Sequence, residues 1–227
     1  MSEPRRDAAR QLAQQFLEQG NATGWFEALY DSAACDASNI PWADLRVNPH
    51  FAEWMARQAP PKHGARALVV GCGLGDDAEE LARRGWSVVA FDISKTAIEW
   101  CRRRFPASRV DYRVANLLHP PAEWQEAFDF VLEIYTLQSL PTHVRFEAIA
   151  RIAAFVRARG TLLVIARGRE PTDEPGSLPW PLTKDEINQF VAVSLELVSF
   201  DDYVDGEQPP VRRFRAVLRR VHERAAK

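Results

Sequence analysis

The sequence predicts an α/β fold: a doubly wound, mostly parallel sheet whose last strand is antiparallel, preceded by a helical cap. Three observations carry this. Apolar runs and amphipathic stretches alternate from residue 66 onward. The run Ala67-Leu-Val-Val-Gly-Cys-Gly-Leu-Gly75 ends in a glycine-rich turn that opens a polar, helix-like segment. The chain closes in two strand-like runs with only a turn between them, around Asp205-Gly206 and Pro209-Pro210, which reads as a hairpin.

Each element has its own signal. Leu12, Phe16 and Leu17 sit at helical spacing, so a helix is expected over 5–19, ended by Gly20-Asn21. An aromatic-rich stretch follows at 24–34 with Trp25, Phe26 and Tyr30. Ile40-Pro-Trp42 breaks the helical pattern, Pro49 opens another helix, and Pro60-Pro61 ends this part. Residues 1–60 are therefore expected to form a cap or lid, and 61–227 the main domain. Strand 66–70 leads to helix 75–84, with Gly85 as its C-cap. Strand 87–91, helix 94–104 and strand 110–114, ending at Asn116, come next. After a Pro-Pro loop, strand 128–133 leads through loop 134–140 to helix 141–157. Strand 161–166, a loop rich in Pro and Gly at 168–181 and a short helix 183–190 follow. Strands 195–203 and 211–220 complete the chain.

Composition narrows the class. The 227 residues suit one domain with a small lid, and 46% hydrophobic with 26% charged residues reads as soluble and globular. A net charge of −2 gives no overall field toward nucleic acid or anionic membrane. Arginines cluster at 102–104 and again between 212 and 220; a solvated helix face and a charged edge strand are the expected readings. Cys35, Cys72 and Cys101 form no closed disulfide set and no zinc spacing, so no metal is expected. Met1-Ser-Glu-Pro-Arg-Arg-Asp is not followed by an apolar region, and no run approaches the about 20 residues of a membrane span. A reducing cytoplasm is the expected location, and the pattern assigns no oligomeric state.

The turn then narrows the ligand. Gly71, Gly73 and Gly75 let the backbone fold sharply and let a ligand approach main-chain N–H groups. Asp92 stands 21 residues after Gly71, at the end of the next strand, where a carboxylate can accept the hydroxyls of a ribose. A dinucleotide fingerprint, G-x-G-x-x-G, would put the third glycine one residue later. Here Asp76 and Asp77 open the helix instead. Two carboxylates repel a diphosphate and suit a cationic ligand, besides complementing the helix dipole. S-adenosylmethionine has a sulfonium, an amino-acid end, an adenosine and no phosphate, and it is the expected cofactor.

These motifs resemble those of the Rossmann-like (class I) S-adenosylmethionine-dependent methyltransferases, which implies a seven-stranded sheet. More narrowly they are similar to the thiopurine S-methyltransferase and halide/thiol methyltransferase group. Arg66-Ala-Leu-Val-Val-Gly-Cys-Gly resembles that group's first motif, which has Val69 where most methyltransferases carry an acid. Trp25 and Ile40-Pro-Trp42 resemble its N-terminal aromatic segment. Phe128-Asp-Phe-Val-Leu-Glu133 with Gln138-Ser-Leu-Pro141 resembles its fourth-strand motif, and Gly176-Ser-Leu-Pro-Trp-Pro-Leu-Thr183 its substrate loop. The resemblance covers about residues 24–220.

Candidate residues follow, each beside its plainer reading. Gly71, Gly73 and Gly75, with Cys72 as a small packing residue among them, form the cofactor turn; a tight strand-to-helix connection is the alternative. Asp92, with Ile93 beside it, is assigned to the ribose, provided that Ser94 caps the next helix. Asn116 can accept from the adenine amine through its amide oxygen, with Leu117 against the ring; an ordinary turn is the alternative. Glu133 could meet the methionine ammonium. Tyr135 could face the sulfonium or the acceptor, against simple core packing. The resemblance implies that Trp25 and Trp42 close over the cofactor, against a merely packed cap. Arg167, His143, Arg145 and Glu170 are acceptor-site candidates.

The expected activity is in-line methyl transfer to a small molecule, at a thiol sulfur or a nitrogen, with oxygen open. Rival readings are a methyltransferase of nucleic acid or protein and a non-catalytic cofactor-binding module. Against an amino-methylating DNA enzyme, Glu133-Ile-Tyr-Thr-Leu137 stands where an Asn/Asp-Pro-Pro-aromatic run belongs.

Overall fold

A computed structural model of the chain describes residues 3–221. Part of the N-terminal segment read as lacking a leader, Met1-Ser2, lies outside them. Three helices come first: α1 (Glu3–Glu18), α2 (Gly24–Ser32) and α3 (Pro49–Met55). Asn48 caps α3, its side chain accepting from the N–H groups of His50 and Phe51, and Pro49 fills the first helical position. Then strands and helices alternate: β1 (Arg66–Val70), α4 (Asp76–Arg83), β2 (Ser87–Asp92), α5 (Lys95–Arg104), β3 (Asp111–Val114), β4 (Phe128–Ile134), α6 (Thr142–Phe155) and β5 (Val156–Arg167). Last come α7 (Lys184–Ala192), β6 (Leu195–Val204) and β7 (Arg212–Arg220).

The seven strands lie in the order β3-β2-β1-β4-β5-β7-β6. β2 pairs parallel with β3, and β4 runs parallel to both β1 and β5, whereas β7 is antiparallel to β5 and β6. The doubly wound sheet whose last strand, β7, is antiparallel to the others is thus the observed fold. Parallel interior strands are covered on both faces and read as continuous apolar runs; β1 is buried at four of its five positions and β2 at five of six. The chain order reverses between β1 and β4, and at such a point open sheets bind ligands beyond the carboxyl ends of the strands.

Two compact units make up the chain. One comprises the segment up to Gly64 with Gly71–Asn116, and the other Ala65–Val70 with the segment from Leu117 on. In the first, Leu81, Val88, Phe91, Ile98 and Trp100 are buried; in the second, Leu68, Phe130, Val131, Leu163, Ile165 and Phe214 are.

Two expectations need correction. The strand expected at 161–166 begins at Val156, where the helix expected to run to 157 has already stopped. The sheet register shifts between Phe128 and Phe130, Arg159 takes a left-handed φ of +64°, and Gly160 packs against Phe128 O. This irregularity breaks the two-residue alternation that marks a strand in sequence. The arginine-rich 212–220 run is not an edge strand, because β7 lies between β5 and β6. Arg213 and Arg215 are buried there and ion-paired with Asp205, Glu207 and Asp201. Among the described residues no helix is long and apolar enough to cross a membrane.

Candidate functional site

In the first unit, the turn after β1 is shaped by glycine. Gly71, Gly73 and Gly75 all take left-handed φ, at +59°, +53° and +91°, a region that side chains with a Cβ avoid. At Gly75 a Cβ would also lie 2.5 Å from the Tyr112 hydroxyl oxygen. Three N–H groups of the turn are engaged internally: Cys72 donates to Phe91 O (2.8 Å), Gly75 to Cys72 O (3.0 Å) and Gly73 to the Asp92 carboxylate (3.0 Å). The expectation that the turn presents its N–H groups to a ligand therefore fails for these three. Local backbone geometry requires them, and sequence does not display it.

Asp92 is buried and also accepts from the Ser94 N–H (2.9 Å). Burial pushes its carboxyl up to about 6, against the amide hydrogen bonds that favour its charge. It thus fastens the turn to the end of β2. Each carboxylate oxygen carries two lone pairs, so acceptor capacity remains for a ribose. Ser94 caps α5 as expected, accepting from Ala97 N–H (3.0 Å). Its hydroxyl donates to Glu27 (2.6 Å), which also accepts from Thr96 Oγ1 (2.7 Å) and so holds α2 to the start of α5. Burial works to raise the Glu27 pKa; the Ser94 and Thr96 hydrogen bonds outweigh it and leave the carboxyl below its usual range.

The acidic start of α4 does not face a ligand as a free pair. Asp76 forms a two-pronged ion pair with Arg104 (2.7 and 2.8 Å), whose guanidinium also donates to Leu74 O. Asp77 accepts from the Asn48 N–H (2.8 Å), and burial pushes its carboxyl up to about 7. Arg102–Arg104 are accordingly not a purely solvated face: Arg102 donates to Tyr112 O, and Arg104 braces the turn.

The N-terminal aromatics form a cluster in the same unit. Trp25 is buried and meets Trp42 edge-on, ring centroids 5.9 Å apart. Trp42 is 36% exposed, and its indole N–H donates to the Tyr30 hydroxyl (2.9 Å). Tyr30 is buried, and its oxygen lies 3.3 Å from the point a Gly73 Cβ would occupy. Sequence reasoning placed Tyr30 in the aromatic run but gave it no role; the Trp25, Leu29, Tyr30 spacing on one helix face was the available signal. Cys72 and Cys101 form a thiol pair under the turn, with Cys101 Sγ–H donating to Gly73 O (3.1 Å). The Cys101 hydrogen bond, then burial, pushes the Cys72 thiol well up, away from the thiolate form that makes a cysteine nucleophilic. Ile93 and Asn116 are half-buried, the latter just beyond β3.

In the second unit, Glu133 is fully buried near the end of β4, in register with Val70 on β1 and Val164 on β5. One carboxylate oxygen accepts from the N–H groups of Thr136 (2.8 Å) and Leu137 (3.0 Å). The other, Oε2, is buried with no hydrogen-bond partner among the described residues. Burial pushes the carboxyl up to about 7. Tyr135 takes a φ of +64°, uncommon for a bulky residue and a mark of strain. The Arg213 guanidinium lies 5.1 Å from its ring centroid. Arg167 ends β5, its N–H donating to Gln138 Oε1 (2.7 Å) and its carbonyl accepting from Leu182 N–H (2.8 Å). Leu117 is buried.

Two acceptor-site candidates are engaged elsewhere. Buried Arg145 donates to Leu140 O, Trp180 O and Glu186, tying α6 to α7. Glu170 pairs with Arg212 (2.7 Å). His143 is exposed on α6. Among the described residues no group of three or more His, Cys, Asp or Glu could hold a metal.

A family model described as "Methyltransferase domain" matches residues 67–160. The chain is 25% identical, over 86% of its length and 83% of the relative's, to the "Probable thiol methyltransferase 2" of Arabidopsis thaliana. It is 34% identical over 128 residues to the "Ubiquinone biosynthesis O-methyltransferase" of Xanthomonas campestris pv. campestris (strain B100), a match spanning 55% of this chain and about half (52%) of that protein. Among solved structures, the N-methyltransferase NodS from Bradyrhizobium japonicum WM9, in complex with S-adenosyl-L-homocysteine, superposes with a TM-score of 0.66 at 18% identity, covering 86% of this chain and 99% of that one.

Proposed function

Because the chain is a class I S-adenosylmethionine-dependent methyltransferase, we propose that it methylates a small molecule, at a thiol sulfur or a nitrogen. The observation that carries this reading is the turn of three left-handed glycines fastened by buried Asp92. The sulfur assignment draws on the match along most of the chain to a probable thiol methyltransferase. An oxygen acceptor is the second reading, favoured by the higher local identity to a ubiquinone O-methyltransferase.

The residues suit such a ligand on two counts. At Gly73 the missing Cβ keeps a side chain out of the space beside the Tyr30 hydroxyl, whose oxygen lies 3.3 Å from that position. The unpartnered Oε2 of Glu133 suits a buried donor, and an ammonium matches both its charge and its shortage of hydrogen bonds. In this reading Gly71, Cys72, Gly73 and Gly75 cradle the amino-acid end. Asp92 and Ile93 hold the ribose, Asn116 and Leu117 the adenine, and Glu133 the ammonium. Trp25 and Trp42, in a lid drawn from residues 1–60, exclude water, and the electron-rich aromatic face tolerates a positive sulfur. Tyr135 and Arg167 are assigned to the acceptor side of residues 61–227.

When bound, S-adenosylmethionine supplies a methyl group already activated on a sulfonium. The work left to the protein is to position and to desolvate. A thiol ionises near its unperturbed pKa of about 8.5, so a sulfur acceptor needs no dedicated base. Three free cysteines suit a reducing compartment such as the cytoplasm.

Calorimetric titration with S-adenosylmethionine, S-adenosylhomocysteine and NAD tests the cofactor reading, with binding of the first two alone expected. Release of S-adenosylhomocysteine is then measured with panels of small thiols, amines and phenols. Turnover of thiols supports the first reading, turnover of phenols alone selects the second, and binding of NAD alone overturns both.

A further inference from the structure

The Tyr30 hydroxyl is an uncommitted donor. The side chain is buried at 1% exposure, and its oxygen accepts from the Trp42 indole N–H at 2.9 Å. Its own proton has no acceptor among the described residues. Buried polar hydrogens without acceptors are rare because they lose their hydrogen bonds to water. This one stands over the glycine turn, 3.3 Å from the Cβ position of Gly73.

We propose that the Tyr30 hydroxyl is a cofactor contact, donating to the carboxylate at the amino-acid end of S-adenosylmethionine. The inference rests on the cofactor reading above and adds to it a residue that the glycine and acidic motifs do not include. Three facts select an anionic oxygen as the partner. The Cys72, Gly73 and Gly75 N–H groups are already engaged, so the turn's own backbone offers a carboxylate little. The cation beside the turn, Arg104, is bonded to Asp76 and Leu74 O. The indole N–H entering the Tyr30 oxygen polarises its O–H, and a polarised donor gains most from a charged acceptor. The hydroxyl also keeps its proton: burial, then the nearby Asp92 carboxylate, push its pKa well above the ordinary phenol value. Trp42 is in this account a positioning residue for Tyr30 as well as part of the lid.

Tyr30→Phe removes one oxygen and keeps the ring. The test compares, by calorimetry, the affinity of wild type and variant for S-adenosylhomocysteine and for 5′-methylthioadenosine, which shares the adenosine and lacks the amino-acid end. The expected result is a roughly 10- to 100-fold loss for S-adenosylhomocysteine, the range for a hydrogen bond to a charged group, with 5′-methylthioadenosine changed by less than about twofold. Trp42→Phe should give the same split at a few-fold. Because both ligands are measured on one protein, their ratio reads the hydroxyl even if the variant is less stable. Equal losses for both ligands, or no loss for either, overturn the carboxylate assignment. Failure of wild type to bind either ligand overturns the cofactor reading itself.

Discussion

Replacing Asp92 by asparagine should change the pH dependence of stability by an amount that can be worked from the structure. Asp92 is buried, accepts two backbone N–H bonds, and has its carboxyl pushed up to about 6 from an ordinary value of 3.8. A folded-state pKa above the unfolded one means that the folded protein binds the proton more tightly. The resulting stabilisation is fully present below about pH 4 and is lost as pH rises through about 6. A separation of about two pH units corresponds to roughly 3 kcal/mol in all, and about 2 kcal/mol of it disappears between about pH 4.5 and 7.5. The side-chain amide of the variant does not titrate. Asp77 and Glu133, which burial also raises to about 7, contribute equally to both proteins and cancel in the difference. Urea unfolding of the ligand-free wild type and Asp92→Asn at the two pH values measures this directly. The stability gap between them should move by about 2 kcal/mol against the wild type as pH rises. A gap that stays constant within about 0.5 kcal/mol would refute the buried, charge-penalised carboxylate on which the turn's fastening rests.

Further outcomes follow from other contacts. Gly75→Ala should cost about 2–4 kcal/mol in thermal unfolding, because a Cβ at φ +91° also meets the Tyr112 hydroxyl; a change under about 1 kcal/mol contradicts that crowding. Arg104→Met leaves Asp76 unpaired where both side chains are about 20% exposed, and should lower stability by about 1–3 kcal/mol. Arg83→Met, in a pair whose arginine is 70% exposed, should cost at most about 0.5 kcal/mol, and equal losses would show that Arg104 does not brace the turn. Glu133→Gln should weaken S-adenosylhomocysteine binding about 10-fold at pH 8. In the wild type the affinity should rise as pH passes about 7, where the buried carboxyl ionises; a pH-independent affinity in calorimetry contradicts the ammonium assignment.

Sequence showed most clearly what depends on backbone sterics and burial. The glycine turn, the strand that feeds it and the Ser94 cap follow from φ requirements and from apolar runs that leave few alternatives. Less legible were side chains that bond to one another across long separations. Arg104 and Asp76 lie 28 positions apart, and Trp42 and Tyr30 lie 12 apart, so no local period reveals either pair. Asp76 read as a ligand-facing carboxylate because its partner was invisible. The arginines of β7 read as an exposed edge because charge usually marks exposure, whereas Asp201, Asp205 and Glu207 neutralise them inside the sheet. The early start of β5 was hidden by the left-handed residue at Arg159 and the register shift beside it.

The position of β7 also governs how the chain can assemble during synthesis. β6 is made before β7 yet takes the outer place, and β7 enters between it and β5. Until residues 212–220 leave the ribosome, the flank of β5 stands open and β6 has no neighbour in the sheet. At about 5–20 residues per second, that exposed interval lasts on the order of seconds for the stretch between β5 and β7. The proline-rich loop at 168–181 and the charges along β6 help to protect the nascent chain, since proline and charge discourage edge-to-edge pairing. A ribosome stall after Val204 would hold the open flank in place, and recruitment of chaperones should peak there.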